Sequence, residues 1–193
     1  MKMSFSKGYP AQYESRLTLK NGREVFLRPV LQTDGELLID LFNKLSRESI
    51  RLRFMRLLQA MPEDMLFQFT HVNYDTEFAL VAVVREYGLP FGGPRENLLG
   101  AHKDAIIAIG RYAFDSQANA ADFAIAVRDD WQNNGLGKLL LGKIFAIGKE
   151  HGISRFVSVI SPQNNIIRKT LGGLGYEVKY SWQSGVFQVE ILV

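Results

Sequence analysis

The chain has 193 residues, 47% hydrophobic and 22% charged, which suits one globular domain with a sizeable core. It carries a formal charge of +3 and no cysteine. Disulfides, thiolate metal sites and cysteine nucleophiles are therefore excluded, and the mild basicity favours a small anion over nucleic acid, which needs a clustered basic face. No apolar run reaches the roughly 18 residues of a membrane helix, and Met1–Tyr9 lacks the apolar stretch of a signal peptide. A cytoplasmic protein with neither a membrane nor a nucleic-acid partner is the expectation.

In chain order, residues 1–20 are polar and read as an extended N-terminal arm, leaving 21–193 as a single domain. Asn21-Gly22 signals a turn, and residues 24–30 alternate as a strand that Pro29 helps to end. Asp34 can cap a helix running to Leu45, with Leu37, Leu38, Leu41 and Leu45 on one face. The run from Arg47 to Arg56 alternates with apolar residues as a helix or its flank would. Pro62 suits the first turn of a helix ending near Thr70. Residues 78–84 form an apolar strand, and 86–104, rich in Gly and Pro, a long loop. Strands follow at 105–114 and 121–128. A glycine loop then leads into a helix that Gly152 closes. Residues 156–160 are a strand, 164–174 a helix ended by Gly175, and 176–193 two strands joined at Gln183-Ser184-Gly185. This order, with a βαβ crossover near its end, predicts an α/β fold built on one mixed, largely antiparallel sheet.

The glycine loop lies in the stretch RDDWQNNGLGKLLLGK, residues 128–143. Gly137, Gly142 and Lys143 fit G-x-x-x-x-G-K, but Ile144 replaces the Ser or Thr that would hold magnesium. Leu136, Leu140, Ile144 and Ile147 repeat at helical spacing, so this stretch is helix and not a P-loop. A dinucleotide fingerprint starting at Gly135 and Gly137 would need Gly or Ala at Leu140, where leucine obstructs close helix packing. A simpler reading remains. A strand ends, a loop turns, and the first turn of a helix presents unpaired N–H groups at the positive end of its dipole, which is an anion site. Gly135 and Gly137 admit a phosphate close to the backbone, and Lys138 adds charge.

Gln132-Asn133-Asn134-Gly135-Leu136-Gly137 resembles the R/Q-x-x-G-x-G/A loop of the GNAT superfamily of acetyltransferases. Pro162-Gln163-Asn164, with Asn164 eleven residues before Gly175-Tyr176, resembles that superfamily's P-x-N … G-F helix. The stretches LTLKNGREVFLRPV, LSRESIRLRFM, NYDTEFALVAVV and ADFAIAVRDDWQNNGLGKLL resemble the acetyltransferase domain of Pat-type bacterial protein lysine acetyltransferases. There this domain often follows a region like an acyl-CoA synthetase, absent from this sequence.

The resemblance implies a GNAT-like fold with helices on both faces and a splayed central strand pair. It implies acetyl-CoA as co-substrate and no metal, with its pyrophosphate on Gln132, Asn133, Asn134, Gly135, Leu136, Gly137 and Lys138. Ile125, Ala126 and Val127 would meet the pantetheine or the thioester carbonyl, and Asn164 the pantetheine arm. A backbone donor aimed at a developing oxyanion is worth roughly 3–4 kcal/mol. The acceptor is an amine, foremost a protein lysine, which attacks directly. The proposed base of Pat-type domains is a glutamate early in this strand. Asp122 stands in that place, one methylene shorter, which calls for a water relay. Glu77 and Glu190 are weaker candidates, and His71, His102 and His151 follow no metal-binding spacing. Leu171 stands where many small-molecule members have a tyrosine acid, and Tyr176 reads as core. The alternatives are a small-amine acetyltransferase and a non-catalytic acyl-CoA sensor, and a homodimer is left open.

Overall fold

A computed structural model describes residues 8–87 and 102–193. In chain order the strands are β1 (Ser15–Thr18), β2 (Glu24–Pro29), β3 (Glu77–Tyr87), β4 (His102–Asp115), β5 (Ala120–Val127), β6 (Arg155–Ile160), β7 (Glu177–Gln183) and β8 (Val186–Leu192). The helices are α1 (Gly35–Asn43), α2 (Arg47–Phe54), α3 (Glu63–Thr70), α4 (Leu136–Glu150) and α5 (Asn165–Gly172). The strands make one open sheet in the order β1-β2-β3-β4-β5-β6-β8-β7. Every pairing is antiparallel except β5 with β6, which α4 joins as a crossover. Helices cover both faces. Leu136, Leu140, Ile144 and Ile147 of α4 share a core with Ile167 and Leu171 of α5. Leu38, Leu41 and Phe42 of α1 share the opposite core with Ile50 of α2 and Phe69 of α3.

Several boundaries differ from the sequence reading. Residues 15–18, within the expected extended arm, form an edge strand of the sheet, paired from Ser15↔Leu27 to Thr18↔Glu24. Just before it, Tyr13 is tied to the end of α4: its hydroxyl lies 3.0 Å from His151 Nε2, and Tyr112 holds His151 Nδ1 at 2.6 Å. Asp34 does not cap α1 with its side chain. It is buried, receives Arg28 at 2.6 and 2.7 Å, and accepts the Leu31 N–H. The helix it precedes stops at Asn43, two residues before the expected Leu45. The long loop is narrower than 86–104, because the β3–β4 ladder continues to Glu86↔Lys103 and Tyr87↔His102; its remainder, 88–101, lies outside the described residues. At the C-terminus, Ser184 and Gly185 both take positive φ (50° and 82°), the backbone of a tight two-residue hairpin.

The α4 face is aromatic at its centre. Phe145 packs tilted against Phe156 at 4.6 Å and edge-on against Phe123 at 5.1 Å between ring centroids, each ring worth about 1.5–3 kcal/mol on burial. Gly148 makes this possible: a Cβ there would collide with the Phe156 ring. Gly148→Ala is therefore expected to destabilise the fold by about 1–3 kcal/mol, despite the roughly 1 kcal/mol gained in helix propensity. Chemical denaturation of the single variant and of Gly148→Ala with Phe156→Leu checks this. The second change should recover part of the loss, and additive losses would contradict the clash.

Candidate active site

β5 and β6 pair only at Ala121↔Phe156 and Asp122↔Val157. Beyond Asp122 the strands part. β5 stays with β4 through Val127, while β6 follows β8 to Ile160. Between them opens a cleft of about 530 Å³, lined by Phe123 to Val127 on one side and Ser158 to Ile160 on the other. The Arg128 N–H donates to the Ile107 carbonyl. In an antiparallel ladder donors alternate in direction, so this bond turns the N–H groups of Ala124 and Ala126 toward β4. Those of Ile125 and Val127 face the gap. Of the three residues expected to meet the pantetheine, Ile125 and Val127 thus turn their N–H groups to the gap, whereas Ala126 lines the cleft but directs its N–H into the sheet.

At the end of β5 the chain passes through one 3-10 turn (Asp129–Trp131) into the glycine loop. Asn133 and Gly135 both take positive φ, 61° and 83°. Gly135 precedes α4 without a side-chain cap, and the first main-chain bond of that end runs from the Leu139 N–H to the Gly135 carbonyl. The N–H groups of Leu136, Gly137 and Lys138 are left pointing out of the helix, at the positive end of its dipole. Side chains reinforce this sign. Lys138 lines the cleft with Lys169 of α5 and with Lys20, whose methylenes lie 3.7–4.0 Å from where a Gly135 Cβ would be. Lys20 belongs to the turn between β1 and β2, and no local sequence signal marks it.

The other loop residues divide. Asn133 lines the cleft, whereas Asn134 is not among its lining residues. The Leu136 side chain is buried in the core, so only its backbone faces outward. Gln132 has a tethering role that its motif position does not reveal: its Nε2 donates to the Val127 carbonyl at 3.0 Å and to Ser49 Oγ at 3.3 Å. Asn164 lines the cleft, but its Oδ1 caps α5 by accepting the Ile167 N–H at 3.1 Å, leaving its amide NH₂ for a ligand.

Asp122 stands where the gap begins. Its carboxylate is exposed and has no hydrogen bond or ion pair among the described residues. The protein around it raises its pKa above the usual aspartate range by desolvation, while Arg53 and Arg111 pull it back. Glu77, by contrast, holds Arg111 at 3.2 Å, and Glu190 lies 3.8 Å from Arg155. His151 is packed at the far end of α4 against Tyr112 and Tyr13, and His71 stacks on Phe67 at 3.9 Å. The His102 side chain lies outside the described residues. Leu171 is fully buried, and Tyr176 packs on Phe145 at 5.9 Å. No cluster of metal ligands occurs among the described residues.

A family model described as Acetyltransferase (GNAT) family matches residues 55–175. The sequence is 27% identical over 159 residues to Acetyltransferase PA5475 of Pseudomonas aeruginosa, covering 82% of this chain and 78% of that protein. It is 27% identical over 159 residues to Acetyltransferase Pat of Mycolicibacterium smegmatis, covering 81% of this chain but only 42% of that protein. The crystal structure of the GNAT domain of S. lividans PAT superposes with a TM-score of 0.81 at 28% identity, covering 96% of this chain and 100% of that one. With a parted strand pair and an uncapped glycine helix in the order the family uses, the chain belongs to the GNAT acetyltransferases, which use acetyl-CoA as acyl donor.

Proposed function

We propose that this acetyltransferase modifies lysine side chains of proteins in the cytoplasm. The observation that carries the reading is the place of Asp122, unpaired and exposed where β5 leaves β6. The similarity to proteins named Pat supports the choice of acceptor.

The unpaired N–H groups of Leu136, Gly137 and Lys138 would hold the pyrophosphate of acetyl-CoA, with Lys20, Lys138 and Lys169 supplying charge. Ile125, Val127 and the Asn164 amide would hold its pantetheine arm and acyl carbonyl in the gap. When bound, acetyl-CoA supplies the acetyl group as a thioester. Asp122 then has one task. An amine near pKa 10.4 must lose a proton before it can attack, and a carboxylate within reach, directly or through one water, accepts it. Desolvation favours this by making Asp122 a stronger base than a solvated aspartate. With Leu171 in the core, α5 offers no acid at that position, so CoA departs as its thiolate.

Asp122→Asn is expected to cut kcat/KM on a lysine peptide by about 10²–10⁴-fold, while calorimetry still finds acetyl-CoA binding. An active variant would rule out Asp122 as the base. The same side chain sets a stability trend. A carboxyl whose pKa is raised on folding contributes stability below its unfolded pKa, and loses it as pH rises through the folded value. The Asn variant should therefore match or exceed the native Tm at pH 7, and a lower Tm there would contradict the desolvation. Gly135→Val forces a branched side chain into positive φ. It should weaken acetyl-CoA binding at least about tenfold, and unchanged affinity would remove the loop from the site. Lys20→Gln should weaken CoA several-fold at low salt and less at high salt, as an exposed charge contact must; an affinity insensitive to both would exclude Lys20.

A further inference from the structure

The acceptor side of the cleft holds two opposite charges that do not meet. Arg53 lines the cleft from α2, which packs on β5. It feels the charge of Asp122, as Asp122 feels that of Arg53. Yet no ion pair or hydrogen bond joins them, and Arg53 has no other carboxylate or hydrogen-bond partner among the described residues. Its guanidinium lies 5.0 Å from the centroid of the Phe54 ring.

This sets Arg53 apart from the other half-buried or buried arginines near it. Arg28 holds Asp34 at 2.6 Å, Arg111 holds Glu77 at 3.2 Å, and Arg128 holds Glu86 at 2.6 Å. A guanidinium carries five donors in a planar fork that matches a carboxylate. Removed from water and left unpaired, it is costly. Burial lowers the Arg53 pKa to about 10, with Arg111 acting the same way, so it stays cationic at neutral pH. The β5 residues that share the Asp122 face are Ala124 and Ala126, too small to fill the space beneath α2. The helix and its tail add to the sign: residues 47–56 hold four arginines against one glutamate.

We propose that Arg53 is a recognition site for a carboxylate carried beside the acceptor amine, so that the enzyme selects lysines flanked by Asp or Glu. This rests on the protein-lysine reading above. The amine goes to Asp122, the neighbouring carboxylate goes to Arg53, and the two charges that do not pair with each other are each satisfied by one acceptor. Basic flanking residues meet the α2 arginines and are rejected, so discrimination has both an attractive and a repulsive part. The α-carboxylate of a free amino acid offers the same chemistry.

The test uses the full chain, saturating acetyl-CoA, and short peptides with a blocked N-terminus and one free lysine flanked by Glu, Gly or Arg. Thiol release is followed for the native enzyme, Arg53→Gln and Arg53→Lys, with acetyl-CoA calorimetry verifying that each variant folds. Native kcat/KM should be about tenfold or more higher for the Glu-flanked peptide than for the Gly-flanked one, carried by KM, as one charge-assisted pair would give. In Arg53→Gln that ratio should fall to about one, and Arg53→Lys should keep part of it. Peptides acetylated without an acidic preference, or with a preference that survives Arg53→Gln, overturn the proposal and leave the lysine reading intact. Arg53-dependent acetylation of free glutamate, with no peptide modified, keeps the carboxylate site and overturns the lysine reading. Turnover of spermidine alone sinks both.

Discussion

The rest of the structure depends on how few bonds hold β5 to β6. Two parallel pairs join them, and then each strand follows its other neighbour. What holds the strands together at the split is aromatic packing: Phe123 of β5 and Phe156 of β6 both pack on Phe145 of α4. Above the split no side chain replaces the missing ladder, and the N–H groups of Ile125 and Val127 are left facing the gap. Backbone donors in such a place must find partners. A ligand that runs along the strand and pairs with it completes the sheet, which is why this fold binds an extended chain such as pantetheine. The crossover then fixes the second half of the site. A short connection from the end of β5 has to enter α4 next to the gap, so the helix N-terminus and the open strand edge adjoin as a result of topology.

Charge divides the cleft along its length. At the α4 end, three lysines and the helix dipole act with one sign on a polyanion. At the Asp122 end, a single carboxylate feels two arginines, only one of which has an ion-pair partner among the described residues. The first arrangement is redundant and tolerates solvent. The second is not redundant: Asp122 and Arg53 have no ion-pair partner among the described residues, and neither charge is duplicated beside it. Arg111 is held by Glu77 and acts on Asp122 only through its field.

Most of the fold was legible in the sequence, because long apolar periods and glycine stops report burial directly. α4 is the clearest case, its Leu136-Leu140-Ile144-Ile147 stripe being buried as spaced. β1 was not legible, since its four residues alternate only between half-buried and exposed and its pairing is nonlocal. The glycine loop could be read because backbone conformation depends on residue type. Side-chain tasks were harder. Gln132 ties the loop to β5 and α2, and Asp34 pairs with Arg28 instead of capping a helix; each choice depends on which distant partner arrives. Ala126 and Val127 differ only in parity along a strand, and that parity is set by the register with β4. Arg53 and Lys20 belong to segments far from the motif, and only tertiary packing brings them to it.

The placement of Arg53 follows from the same contacts that hold the glycine loop. Asp129, in the 3-10 turn before that loop, accepts the Ser46 N–H at 2.9 Å and the hydroxyls of Ser46 and Ser49 at 2.7 and 2.8 Å. Ser49 in turn receives Gln132. On the other wall, Arg51 donates to Gln163 at 2.6 Å, one residue before the Asn164 cap. The two-turn helix α2 is thus pinned at its start to the β5 side and near its end to the β6 side, and it bridges the cleft. A helix of eight residues has little stability of its own, so these polar ties, with Ile50 in the core, decide where it lies. Arg53 is carried on the far end of that bridge, where it lines the cleft. The turn before the glycine loop and the turn before α5 are therefore tied into one hydrogen-bonded unit, and α2 is the element that joins them.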